Sequence, residues 1–120
     1  MYGPRTKETH ERYQEVKQAR LHTSEGCQLC KEQSLLEFTH WRIIHAGFPY
    51  DRIADVHDLL LTKAHKTELE LTEEERTELQ EIKLGGALDE HYAVVWENLK
   101  DYQSIPAHFH LHLLKLKDEI

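Results

Sequence analysis

The sharpest hydrophobic pattern in the chain lies near its end, in the run His108-Phe109-His110-Leu111-His112-Leu113-Leu114. Its period is two, so a β-strand here puts three imidazoles on one face and Phe109, Leu111 and Leu113 on the other. Upstream, Leu35, Leu36, Phe38, Trp41, Ile43 and Ile44 predict one or two strands over 35–44. The segment 46–51, with Gly47 and Pro49, breaks that run as a loop. Asp58 to Thr62 predicts another strand, with His57 before it and His65 after it. The clearest helix follows. Thr72 and Glu75 are spaced as a capping box, Leu71 stands where a hydrophobic staple would, and Leu79, Ile82 and Ala87 would line the inner face. Gly85-Gly86 ends or bends this helix, with a second helical stretch reaching about Tyr92. Ala93 to Glu97 reads as a strand, and 98–106 as a polar turn region.

Before all of these, residues 5–20 are rich in Glu, Lys, Gln and Arg, with Tyr13, Val16 and Ala19 at spacing three. That predicts a polar helix with a thin apolar stripe, beginning after Pro4. Residues 1–25 are thus a polar helical extension and 26–120 the main domain, with Gly26 leading into a turn at Cys27-Gln28-Leu29-Cys30. Strands, a long helix and further strands make the fold class α+β.

At 120 residues the chain has room for one core. With 39% hydrophobic and 31% charged residues it has the make-up of a folded globular protein rather than a disordered one. The net charge of -7 argues against binding a nucleic acid polymer or an acidic membrane, because such binders concentrate Lys and Arg. Small phosphorylated ligands stay open, since imidazoles and local dipoles can hold them. No 18-residue apolar stretch occurs and the first 20 residues lack an apolar signal core, so a cytoplasmic location is expected.

Ten histidines are spread along the chain, which a purification tag does not explain. Imidazole ligates metals, titrates near neutrality and acts as nucleophile or general acid/base. The triple-histidine strand is therefore either a functional face, with a neutral imidazole attacking phosphorus and its neighbours binding phosphate and leaving group, or a histidine-rich surface strand or metal pair. The two cysteines, Cys27 and Cys30, form a C-x-x-C that fits half a metal site, a redox dithiol or two structural residues. A redox motif would open a helix after a strand in a βαβ unit, whereas this one precedes every predicted strand. A tetrahedral zinc site would need two more ligands, and His65 and His108 are candidates because each flanks a predicted strand end. His57, taken alone, reads as a core or loop histidine.

Together these segments resemble the histidine triad (HIT) family, whose signature alternates three histidines with apolar residues; residues 108–114 match it at every position. The family's upstream block is similar to Phe48-Pro49-Tyr50-Asp51 and to His57, Leu59, Leu60, Lys63 and His65, and its helix block to Leu71-Thr72-Glu73-Glu74-Glu75. The resemblance spans about residues 26–116. It implies an antiparallel sheet with flanking helices, commonly in a homodimer. It implies that His110 is the nucleophile of a nucleotidyl-histidine intermediate and that His112 contacts the phosphate and helps the leaving group. The zinc-containing branch, related to galactose-1-phosphate uridylyltransferase, implies a structural zinc ion held by Cys27, Cys30, His65 and His108. The resemblance makes Ser104 and Asn98 the candidate substrate-binding residues. The chain departs from the family where Ser104 stands four rather than three residues before His108, where Thr62 and Val56 replace a proline and a glycine, and where no Pro-Arg follows the triad. The expected function is hydrolysis or nucleotidyl transfer at the α-phosphate of a nucleotide conjugate. The competing expectation is a zinc-stabilised nucleotide- or partner-binding module without turnover.

Overall fold

Alternation of apolar and polar side chains builds one sheet with two different faces. A computed structural model describes residues 3–21, 27–99, 102–103 and 105–119, with the side chains of 18–21 left aside. Its elements are helix α1 (Lys7–Leu21), helix α2 (Gln28–Lys31), strands β1 (Leu36–Glu37), β2 (Trp41–His45) and β3 (Ala54–Thr62), helix α3 (Glu73–Leu84), and strands β4 (Val94–Trp96) and β5 (His110–Leu116). A single 3₁₀ turn, Glu68–Glu70, precedes α3. The strands form one sheet in the order β1-β2-β3-β5-β4, every neighbouring pair antiparallel. The protein is α+β, an antiparallel sheet with flanking helices.

One face of the sheet carries Trp41, Ile43, Leu60, Phe109, Leu111 and Leu113, which pack with Leu71, Ile82 and Leu88 in the main core. Helix α3 covers that face because its ends are well specified. Thr72 accepts the Glu75 backbone N–H while the Glu75 carboxylate accepts the Thr72 N–H at 2.8 Å, closing the expected capping box. Glu75 is buried and also pairs with Lys66 at 2.8 Å, and its backbone carbonyl accepts the Trp41 indole N–H at 2.9 Å. Glu78 accepts the Thr39 and His40 backbone N–H groups, tying the helix to the turn between β1 and β2. Leu71 is buried with Ile82, but the position a staple would use for its partner is Arg76.

The opposite face holds a smaller cluster of Leu29, Ile44, Leu59 and Leu61, then Tyr50, Ala54 and Leu114. His110 and His112 pair with Leu61 and Leu59 on this face. The alternation read from residues 108–114 therefore holds, although His108 precedes β5 instead of lying in it.

Four other expectations are corrected. The Cys27–Cys30 segment opens a one-turn helix, with Cys27 at its N-cap position. Strand β3 begins at Ala54, so His57 lies within it rather than before it. There is no second helical stretch toward Tyr92: residues 85–91 are turns. The reason is Gly86, which takes a positive φ of 84° and turns the chain out of the helix path, while Gly85 closes the last turn onto Glu81. That exit leaves Ala87 exposed and delivers Leu88 to the core in its place.

Candidate functional site

Two adjoining constellations occupy the histidine face, both organised by β5 and its neighbour β3. The first gathers Cys27, Cys30, His65 and His108, whose donor atoms all lie within 4.8 Å of one another. Helix α2 sets the two sulfurs side by side, and it is held in place by Arg42, which donates to the carbonyls of Leu29 and Glu32. His108 Nδ1 lies 3.7 Å from Cys27 Sγ and 3.3 Å from Cys30 Sγ, and His65 Nδ1 lies 3.4 Å from Cys30 Sγ. A tetrahedral ion with metal–sulfur and metal–nitrogen bonds of about 2.3 and 2.0 Å has edges of about 3.3–3.8 Å, and these separations match them. The other nitrogen of His108, Nε2, donates to the Thr62 carbonyl at 2.8 Å, which leaves the Nδ1 lone pair facing the sulfurs. Burial, reinforced by hydrogen bonding and charge repulsion from Cys27, pushes the Cys30 thiol up against a smaller opposing influence of Arg42. A cation between the sulfurs would relieve that repulsion. The four residues can hold a metal ion.

The second constellation is a cavity of about 310 Å³ on the same face. Its floor is Leu29, Ile44 and Leu59, its polar side is His57, His110 and His112, and its outer wall is Phe48 with Arg5, Tyr13 and Val16 from the N-terminal arm. The hydrogen bonds fix the proton positions. His110 Nδ1–H donates to the His108 carbonyl at 2.9 Å, so its Nε2 keeps a lone pair, and that nitrogen has no partner among the described residues. The Tyr50 backbone N–H donates to His57 Nδ1 at 2.9 Å, so His57 carries its proton on Nε2 and donates it to His112 Nδ1 at 2.8 Å. His112 then carries its own proton on Nε2, as a donor.

Burial lowers the basicity of all three imidazoles. It pushes His57 down to about 4, helped by the Arg5 and His110 charges. It pushes His112 down to about 3, helped by His57, His110 and Arg5. Burial lowers His110 as well, against the opposing effect of the carbonyl it donates to. All three are neutral at pH 7, which suits one lone pair and one N–H donor in the same cavity.

The expected residues are placed as follows. His110 and His112 line the cavity together, and His65 and His108 meet both cysteines. Asn98 is not on the cavity wall, but its side-chain amide lies 3.3 Å from His112 Nε2 and 2.9 Å from the Tyr50 hydroxyl. Ser104 lies outside the described residues. Sequence reasoning missed three contributors. His57 was legible in principle, because His57, Leu59 and Leu61 share the period-two face that pairs with the triad. Tyr50, stacked on His112 with ring centroids 5.1 Å apart, was read as loop and as part of the upstream block but given no role in the site. Arg5 comes from an arm whose docking no local pattern announces.

No known family model matches the chain, and no curated protein matches its sequence. Among the described residues no helix is long and apolar enough to cross a membrane.

Proposed function

We propose that the protein is a HIT-like hydrolase or nucleotidyltransferase that acts at the α-phosphate of a nucleotide conjugate. The observation that carries this reading is the pair of fixed tautomers in one cavity. His110 offers an unprotonated Nε2, while His112 offers an N–H held by the relay from Tyr50 and His57. In the proposed reaction the Nε2 lone pair attacks the α-phosphorus, an N–P bond forms and the bond from phosphorus to the leaving group breaks. His112 Nε2–H donates a hydrogen bond that stabilises the departing oxygen, which leaves as an anion and takes any proton it needs from solvent. Water or another acceptor then attacks phosphorus and releases His110. The apolar floor of Leu29, Ile44 and Leu59 suits the face of a nucleobase.

We further propose that Cys27, Cys30, His65 and His108 hold a structural zinc ion, whose N₂S₂ donor set suits a closed site. When bound it would tie α2 to the start of β5 and leave His110 free. Both thiols are free, and ligands of this kind stay reduced in a cytoplasmic setting, where we place the protein.

The test is a turnover screen of nucleoside phosphoramidates, dinucleoside polyphosphates and nucleotide sugars with wild type and His110→Ala. The wild type turns over at least one class and the variant none, with folding and zinc content kept. Equal turnover in the variant overturns the proposal. Binding without turnover by the wild type would instead favour a zinc-stabilised binding module.

A further inference from the structure

The N-terminal arm does more than pack beside the domain. Asp51 accepts the Thr6 backbone N–H at 2.8 Å and the Thr6 and Thr9 hydroxyls at 3.1 and 2.5 Å. The Arg52 backbone N–H donates to the Pro4 carbonyl and the Arg52 side chain to the Gly3 carbonyl. Tyr13 meets Phe48 edge to face, with centroids 5.7 Å apart. The start of α1 is thereby locked over the mouth of the cavity.

This docking fixes Arg5. Its Nε donates to the Phe48 carbonyl at 2.8 Å, and its guanidinium lies over the Tyr13 ring at 4.4 Å and near the Tyr50 ring at 4.9 Å. Tyr50 in turn packs on His57 and His112. The geometry orients the guanidinium but uses only one of its five N–H donors. The terminal Nη donors have no hydrogen-bond acceptor and no carboxylate partner among the described residues. Arg5 is half-buried and is the one Lys or Arg among the described residues lining the cavity. A preorganised guanidinium with free donors beside a cavity is suited to a phosphate, which it can grip with two parallel N–H bonds.

We infer that Arg5 is a phosphate-binding residue of this cavity, so that the N-terminal arm forms part of the ligand site. The inference rests on reading the cavity as a site for phosphorylated ligands and adds the residue that recognises their charge. Its electrostatic reach agrees with the same placement, because the Arg5 charge contributes to holding both His57 and His112 neutral.

The probe is inorganic pyrophosphate, titrated calorimetrically into the full-length wild type, Arg5→Gln and Arg5→Lys at pH 7.5. The wild type binds, Arg5→Gln binds at least tenfold more weakly, and Arg5→Lys recovers part of the loss because it restores the charge without the fork. Circular dichroism and the melting temperature report whether each variant keeps its fold. A wild type that does not bind pyrophosphate, or an Arg5→Gln protein that is folded and binds as the wild type does, overturns the inference. So does an Arg5→Lys protein no better than a well-folded Arg5→Gln. Loss of pyrophosphate binding in Arg5→Gln with no turnover of any conjugate would overturn the enzymatic reading and leave the phosphate site standing. Turnover through His110 with undiminished pyrophosphate binding in Arg5→Gln would do the reverse.

Discussion

The buried His57–His112 pair makes stability depend on pH in a way that can be worked through. Both imidazoles are neutral in the folded protein, with values of about 4 and about 3 against 6.5 in the unfolded chain. At pH 5 the unfolded chain binds a proton at each of these positions and the folded protein does not. A folded value below the unfolded one means that stability is full above about pH 6.5 and is lost as the pH falls from there toward the folded values. For one such group the loss between pH 7 and pH 5 is about 2 kcal/mol, and it changes little for any folded value below about 4.5. The perturbation is His57→Asn, whose Oδ1 can still accept the Tyr50 N–H in place of the ring Nδ1. Urea unfolding at pH 7 and pH 5 gives the free energies. Any acid-driven loss common to both proteins cancels in the comparison. The variant starts less stable, but loses about 2 kcal/mol less than the wild type between the two pH values. In thermal melts that difference corresponds to about 8 °C for a chain of this length. Parallel pH profiles, with the two losses within about 0.5 kcal/mol of each other, would refute the neutral-pair reasoning.

Three further outcomes follow from separate parts of the structure. Purified protein carries close to one zinc per chain, and Cys30→Ser or a strong chelator removes it and lowers the melting temperature; full stability with the metal stripped would contradict a structural role. Thr72→Ala, which deletes the α3 cap, costs about 1 kcal/mol by chemical denaturation without altering metal content, and no measurable loss would show that the capping box contributes nothing. Ile82→Ala, which hollows the main core under α3, costs about 2–5 kcal/mol by the same assay, and a cost under 1 kcal/mol would mean that helix and sheet do not pack as described.

The sheet was legible because its pattern is local. Alternation at 108–114 predicted which residues face the imidazole side, and pairing of β5 with β3 follows that alternation residue by residue. The cap of α3 was legible for the same reason, as two residues three apart carry it. The glycine pair marked the end of the helix, but the stretch beyond it to Tyr92 was not legible, because composition does not reveal that Gly86 adopts a left-handed φ that carries the chain into turns. The C-x-x-C was ambiguous in sequence, because the cluster able to hold a metal ion is assembled only by chain segments 35 and 78 residues away that bring His65 and His108 to Cys30. His57 looked ordinary because its role lies in a cross-strand contact with His112, 55 residues on. Arg5 was out of reach altogether, since its place is set by the docking of Thr6 and Thr9 on Asp51.

The most direct test of the central claim is intact-protein mass spectrometry after rapid mixing with a nucleotide conjugate and acid-free quenching. The account predicts a transient mass increase of one nucleotidyl group, mapped to His110 and absent in His110→Ala. Turnover of the same conjugate with no adduct, or an adduct that persists in His110→Ala, would contradict it.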